Sequence, residues 1–383
     1  MPEPSQDERF MHRAVELAHA TIGLASPNPQ VGCVLVHDEK IIGEGAHRYD
    51  ARNHAEIVAL KQAAEHSHSV EGATAYVTLE PCSHHGRTGP CADALIRAKI
   101  ARCVVATVDP NPLVGGQGIA KLRAAGIDVT VGVLEQQARD LNDAFAHFVQ
   151  TRRPFVTLKA ALSVDGKLAP PAARRQANQP HWLTGPEARA EVHRLRHASD
   201  ALITGIGTVL ADDPTLTDRS GLPRRRPLLR VVLDTHLRLP LTSQLVRSAA
   251  NDLLIVCGAE APPRNLAALA ANGIEVLPVA THPAEQDGHL SLAAVLKELA
   301  RRNMLSVLLE AGSHLNGSFL TQGLVDKAVL FYAETELGDG ALPFATGIPS
   351  PFLFEQSLRR VTRTSFGPDA CVTGYLNYPW PAA

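Results

Sequence analysis

The residues that most restrict what this chain can fold into are His54 and Glu56, in a His-Ala-Glu run, and two cysteines, Cys82 after Pro81 and Cys91. One imidazole and two thiolates fill three of the four tetrahedral positions of a zinc ion and leave the fourth for a water. A fold that uses them must bring three separate stretches of chain to a single point. Glu56 is surplus as a ligand and is placed for general acid/base work on that water. Singly these residues say little, because an H-x-E run arises by chance and paired cysteines are often apolar filler. Their order and combination carry the reading.

The local sequence supports such a convergence. Ala55, Val58, Ala59 and Ala63 recur at helical spacing, so residues 54–64 read as a helix with His54 and Glu56 on its first turn. Residues 74–79 read as a strand that feeds Glu80-Pro81-Cys82 at the start of a loop. Cys91 opens a second helix, where the helix dipole favours a thiolate. The pattern H-x-E…P-C…C resembles the signature of zinc deaminases.

The remaining sequence alternates between strand and helix. Helices are expected over 10–21, from 55, from 91, closing at Gly126, and over 134–148. Strands are expected over 31–36, 74–79, 103–108 and 127–131, with a glycine-rich loop over 115–118. That alternation predicts a layered α/β domain. At Thr151-Arg-Arg-Pro154 the pattern restarts, which sets a boundary near 150 and gives domains of 1–150 and 151–383. The second half has expected strands over 155–159, 201–204, 229–233, 253–256, 274–279, 306–309 and 328–333, with helices over 186–197 and 292–303 among them. At 383 residues, 45% hydrophobic, the chain is long enough for two such domains.

Charge and cysteine usage narrow the partners. A formal net charge of −2 offers no basic field for duplex nucleic acid, and the Arg224-Arg225-Arg226 run reads as a solvated loop. Six scattered cysteines make no disulfide framework and suit a reducing cytoplasm. Residues 1–10 hold Glu3, Asp7 and Glu8 and no apolar core of a signal peptide, and no stretch of about 20 apolar residues occurs. The expectation is a cytoplasmic protein, neither exported nor in a membrane.

Two spots in the second half look chemical. Residues 308–318 read as a strand ending in a small-residue loop that opens a helix, and residues 203–214 read as a second small-residue loop closed by Asp212-Asp213-Pro214. Loops of this kind at strand ends suit a dinucleotide, although each alone is more often a plain turn.

Several runs together resemble the bifunctional riboflavin-biosynthesis deaminase/reductase family in order and spacing. They are residues 26–32 around Asn28, His54-Ala55-Glu56, the long Glu80 to Cys91 loop, and Asp109-Pro110-Asn111-Pro112. In the second half they are Leu158-Lys159, Ser163 with Asp165-Gly166, Trp182 with Thr184-Gly185, Thr208 to Pro214, and Glu310-Ala311-Gly312. The eight residues between Cys82 and Cys91 set the chain apart from deaminases with a C-x-x-C spacing.

The resemblance implies a cytidine-deaminase-like three-layer α/β/α domain followed by a dihydrofolate-reductase-like α/β domain, holding zinc and NADPH respectively. It implies hydrolytic deamination of a phosphorylated ribosylamino-pyrimidinone and then reduction of its ribosyl group to ribityl. In the first domain it makes His54, Cys82 and Cys91 the zinc ligands, Glu56 the catalytic residue, and Asn28, His84 and Arg87 the substrate contacts; His85 is left out. In the second domain Leu162, Trp182, Thr208, Asp212, Gly312, Ser313, His314, Leu315, Asn316, Gly317 and Ser318 would hold NADPH. Lys159, Arg196, Leu216, Arg219 and Glu310 would hold the substrate, with Lys159 and Asp212 as candidate proton donors. Leu162 and Pro180 depart from the residues usual at their positions. The partners implied are a small phosphorylated pyrimidine and further copies of the chain, in a homodimer or higher homo-oligomer, with no nucleic acid and no membrane. The other reading left open is a zinc deaminase of a related nucleotide joined to an inactive or repurposed reductase half.

Overall fold

The computed structural model describes residues 3–84, 89–175, 181–280 and 290–380. Arg87, His85 and Pro180 lie outside the described residues. The chain divides into two compact units. The first holds the described residues up to Arg152 with Pro223–Arg226 and residues 379–380, and the second holds those of Arg153–Leu222 and Pro227–Tyr378.

In the first unit the elements run α1 (Gln6–His19), β1 (Gly32–His37), β2 (Lys40–Ala46), α2 (Ala55–Glu65), β3 (Thr74–Val77), α3 (Cys91–Arg97), β4 (Arg102–Val105), α4 (Gln117–Ala124), β5 (Asp128–Val131), α5 (Glu135–Leu141) and α6 (Asp143–Thr151). The sheet order is β2-β1-β3-β4-β5. Strand β1 is antiparallel to β2 and β3, whereas β3, β4 and β5 are parallel. Both faces of the sheet are apolar. Cys33, Leu35, Ala75, Val77, Cys103 and Val105 meet Ala55 and Ala59 of α2, Leu95 of α3 and Leu122 of α4. The alternate residues Val34, Val36, Tyr76 and Val104 meet Phe10, Met11 and Ala14 of α1 and Ala138 of α5. A sheet buried on both sides this way is the middle of three layers.

Three local features differ from the sequence reading. Helix α1 begins before residue 10 because Ser5 and Glu8 form a capping box that satisfies its first N–H groups. Strand β2 was not expected; Gly43 and Gly45 let it lie against α2, where a Cβ on Gly45 would fall 2.1 Å from the Ala55 carbonyl oxygen. That close approach seats the first turn of α2, with His54 and Glu56, against the sheet. The single helix expected over 134–148 is two, broken at Asn142. The Asn142 amide donates to the Gln30 and Ala138 carbonyls and accepts from Gln30 N–H, an arrangement that pins the chain just after Asn28.

Residues 379–380 close over α5 and α6. The Trp380 indole N–H donates to Asp143 Oδ1 at 3.1 Å, Arg139 lies over the indole, and Gln150 donates to the Pro379 carbonyl. Trp380→Phe keeps most of the buried ring and deletes the bond to the carboxylate, so we expect a loss of about 1.5–3 kcal/mol from the stability of this unit. Chemical denaturation followed by a probe in the first unit reads this out, and an unchanged midpoint would refute it.

The second unit contains β6 (Phe155–Ser163), β7 (Lys167–Ala169), α7 (Pro186–Ala198), β8 (Ala201–Gly205), α8 (Ile206–Asp212), β9 (Leu229–Leu233), α9 (Gln244–Arg247), β10 (Leu253–Gly258), α10 (Pro263–Ala271), β11 (Glu275–Val279), α11 (Leu292–Arg301), β12 (Ser306–Leu309), α12 (Ser313–Thr321), β13 (Lys327–Ala333), β14 (Leu342–Pro343), α13 (Pro351–Glu355), β15 (Arg359–Phe366) and β16 (Asp369–Tyr375). Nine strands form one sheet in the order β11-β10-β9-β8-β12-β6-β13-β16-β15, and β7 pairs with β14. The sheet is parallel from β11 to β13, and β16 runs antiparallel to both neighbours. Helices α11 and α12 cover one face through Val295, Leu299 and Phe319. On the other face α8, α9 and α10 contribute Val209, Leu245 and Leu269. Helix α7 covers β13 and β16 with Ala188 and Val192.

Residues 206–212, expected as part of a small-residue loop, form helix α8 behind an extended Gly205. Strand β6 runs on to Ser163, well past the expected end at 159. No helix among the described residues is long and apolar enough to cross a membrane.

Candidate active sites

In the first unit the expected metal ligands come together. His54 is the N-cap of α2, and its side chain makes no capping bond to the helix. Its Nδ1 lies 3.5 Å from Cys82 Sγ and 3.2 Å from Cys91 Sγ. Cys82 is held by the start of α3: its carbonyl accepts from Ala92 N–H and its sulfur from Cys91 N–H at 3.3 Å. Zinc bonds of about 2.0–2.1 Å to nitrogen and 2.3 Å to sulfur at tetrahedral angles set N···S separations near 3.5 Å. The three side chains are therefore placed and chemically suited to hold a zinc ion. Among the described residues they are the one group of three or more such side chains close enough to hold a metal.

The surroundings tune these groups. The Cys82 thiol is pushed down to about 4, first by the hydrogen bond from Cys91 and then by His54, against the opposing effect of burial. Cys91 moves up, through the same hydrogen bond and its own burial. His54 moves up because of its bond with Cys82. Glu56 is 3% exposed, and burial pushes it up to about 7. A carboxyl poised there takes and returns a proton near neutrality.

The wall of the site rests on Glu80 and His47. Buried Glu80 accepts N–H bonds from Asp109, Gly116, Gly118 and Ile119 and so fixes the 109–118 loop beside Cys82. Gly118 is required there, since a Cβ would fall 1.9 Å from the Pro81 carbonyl oxygen. Asp109 is raised by burial and feels both His84 and Cys82. Asn28 donates to His47 Nε2 at 3.0 Å, and the His47 ring stands edge-on to that of His54, centroids 5.4 Å apart. His84 is exposed. Sequence reasoning did not single out His47 or Asp109 as site residues. No motif marks His47, whereas Asp109 had a signal in the Asp-Pro-Asn-Pro run.

In the second unit one charged cluster gathers the expected substrate residues. Arg196 of α7 donates twice to Glu310, from Nε to Oε1 at 2.7 Å and from Nη2 to Oε2 at 2.9 Å, and its Nη1 donates to the Thr217 carbonyl. Burial alone would raise Glu310, but Arg196 and Lys159 leave it lowered. Lys159 is lowered by burial and by Arg196, with Glu310 opposing. His193, absent from the sequence reading, belongs to this cluster: Arg219 N–H donates to its Nδ1, and it is lowered by burial and by Arg196. Leu216 is buried and takes a left-handed backbone at φ 53°, a turn that carries the exposed Arg219 back toward α7.

The expected cofactor residues are distributed less evenly. Thr208 of α8 lies beside Gly312, and Leu315 beside Gly205, so the ends of β8 and β12 present one shared surface. Gly312 caps α12 without a side-chain bond, and His314, Leu315 and Ser318 retain exposed surface. Ser313, Asn316 and Gly317 turn inward: Asn316 donates to the Phe344 carbonyl, and Gly317 packs on Thr346. Leu162 is fully buried within β6, so its side chain offers no surface to a ligand. Asp212 is raised by burial, and Trp182 is exposed beneath Arg189. Glycine-bearing backbone at the ends of parallel strands fits a nicotinamide dinucleotide.

Comparison with known proteins reaches through both units. Residues 154–372 match the RibD C-terminal domain family, and residues 4–107 match the cytidine and deoxycytidylate deaminase zinc-binding region. The riboflavin biosynthesis protein RibD of Aquifex aeolicus is 39% identical over 92% of this chain and 93% of its own, and that of Escherichia coli 38% over 96% and 98%. Among solved structures, Acinetobacter baumannii RibD superposes with a TM-score of 0.79 at 37% identity, covering 97% of this chain and 98% of the other. A Thermotoga maritima diaminohydroxyphosphoribosylaminopyrimidine deaminase/5-amino-6-(5-phosphoribosylamino)uracil reductase gives 0.80 at 34% identity with the same coverage. Likeness of this extent through both units shows that the chain belongs to the RibD family of riboflavin biosynthesis proteins.

Proposed function

We propose that this chain is a bifunctional enzyme of riboflavin biosynthesis. The first unit hydrolyses the 2-amino group of 2,5-diamino-6-ribosylamino-4(3H)-pyrimidinone 5′-phosphate, and the second reduces the ribosyl group of the resulting 5-amino-6-(5-phosphoribosylamino)uracil to ribityl. The observation that carries the reading is the convergence of His54, Cys82 and Cys91 beside buried Glu56, on a chain whose likeness to RibD runs through both units.

Zinc held by those three residues supplies a Lewis acid that makes water a nucleophile near neutral pH. Deamination exchanges an amino group for oxygen, so water enters and ammonia leaves. Glu56 takes the proton of the attacking water and hands it to the departing amine. Asn28, His84 and Arg87 are the residues we assign to hold the pyrimidine and its phosphate.

In the second unit NADPH supplies the hydride, and the protein orients the reactants. We assign the cofactor to Leu162, Trp182, Thr208, Asp212 and residues 312–318, and the substrate to Lys159, Arg196, Leu216, Arg219 and Glu310. Opening the sugar needs a proton as well as the hydride. Lys159 is the donor we favour over Asp212, because it sits with Arg196 and Glu310 and burial loosens its proton. The same reading makes the chain a homodimer or higher homo-oligomer and places it in the cytoplasm, where its six free cysteines stay reduced.

The test is to supply the diaminopyrimidinone phosphate with and without NADPH, following ammonia and nicotinamide absorbance together. Ammonia in both cases, with NADPH consumed only after deamination, is the expected result. Ammonia with no NADPH oxidation would leave the deaminase and remove the reductase assignment.

A further inference from the structure

Two stretches of the first unit meet at the hydrogen bond between Asn28 and His47. His47 Nδ1 lies 2.9 Å from the Asn53 carbonyl, which can only accept, so Nδ1 carries the proton and Nε2 accepts from the Asn28 amide. One amide N–H of Asn28 is thus committed, and the orientation of its amide is set.

Both stretches are gripped by one residue from the Arg224-Arg225-Arg226 run. The backbone N–H of Arg225 donates to the Gly23 carbonyl at 2.9 Å, and its Nε donates to the Ser26 carbonyl at 3.2 Å, two residues before Asn28. Its guanidinium carbon lies 4.2 Å from the centre of the Tyr49 ring, two residues after His47, and Nη1 is 3.8 Å from the Asp50 carboxylate. Arg226 adds a bond from Nη2 to Ser26 Oγ, and Tyr49 N–H donates to the Leu24 carbonyl, closing the ring of contacts. The Arg225 side chain is 20% exposed, so the expectation of a solvated basic loop is overturned for this residue. A planar fork that bonds one stretch while stacking on the other is a task for arginine.

We infer that Arg225 is a positioning residue for deamination, holding the 23–28 and 47–50 stretches at the spacing at which Asn28 faces the substrate. The inference rests on the assignment of Asn28 as a substrate contact. It makes a residue numbered far beyond the zinc motif part of what the deaminase site depends on.

Arg225→Ala, Asn28→Ala and the double variant, made in the full chain, test it. For Arg225→Ala we expect roughly a tenfold rise in the deamination KM with kcat changed less than about twofold, the pattern of lost substrate binding. Zinc content and the rate of NADPH-dependent reduction of the deaminated substrate should stay at the unmodified values. Arg225→Lys, which keeps a cation over Tyr49, should recover part of the loss. If Arg225 acts through Asn28, the double variant should be no worse than Asn28→Ala alone, because the two losses are one loss. Additive losses, or a parallel fall in zinc content or reduction, would make Arg225 a general structural residue and overturn the proposal. Asn28→Ala impaired with Arg225→Ala unimpaired would overturn it as well. No effect of Asn28→Ala would instead remove the Asn28 assignment on which it stands.

Discussion

Replacing Glu56 with Gln is expected to lower ammonia release by about 10²–10⁴-fold, the usual contribution of a positioned general acid/base. The side chain sits on the first turn of α2, 3% exposed, where burial holds its proton affinity near neutrality. Glutamine keeps the volume and the hydrogen-bonding edge and loses the proton. None of the three metal ligands is touched, so zinc content should remain at the unmodified level. The reductase, built from a separate set of residues, should run at its full rate on deaminated substrate. Loss of activity together with zinc would point to a structural effect, and unchanged turnover would end the shuttle assignment.

Glu310→Ala is expected to have the largest effect on the second unit. Arg196 and Glu310 form a largely buried ion pair, each side chain 11% exposed, and removing one partner of a buried pair leaves the other charge uncompensated at a cost of up to about 3–5 kcal/mol. Here the stranded groups are Arg196, whose two bonds to Glu310 disappear, and Lys159, whose charge Glu310 supports. Unfolding of the second unit should move to markedly lower denaturant, and NADPH oxidation should be lost even where the unit stays folded. Glu310 is lowered in the folded protein, so the stability it contributes is present above its ordinary value of 4.5 and disappears as pH falls through the lower folded value. A variant of unchanged stability that still oxidises NADPH would contradict the assigned role.

The zinc site was legible because its chemistry admits few residue types and the chain order of His54, Glu56, Cys82 and Cys91 preserved them. The second site was less so. Arg196 and Glu310 are far apart in sequence, and only the parallel pairing of β8 with β12 brings their neighbourhoods together. His47 and His193 carried no pattern at all, since each acts through a tertiary hydrogen bond. The sequence of α8 reads as loop because Gly205, Gly207 and Thr208 are weak helix formers; packing of Ile206 and Val209 in the core overrides them. The final strand pair escaped notice because β15, Arg359–Phe366, is an exposed, charged edge with no apolar alternation to read. The break at Asn142 depends on Gln30, more than a hundred positions away, and no local propensity encodes it.

The placement of Trp380 and Arg225 has a consequence for the order of events on the ribosome. Residues up to Arg152 leave the exit tunnel first, yet the unit they belong to also includes residues 223–226 and 379–380. At about 5–20 residues per second, the intervening chain takes on the order of ten to fifty seconds to make. For the first third of that interval the nascent deaminase lacks Arg225, whose backbone N–H bonds Gly23 and whose guanidinium bonds Ser26, and through all of it the indole that bonds Asp143. A fragment cut at Arg152 would carry every zinc ligand while missing pieces of its own unit.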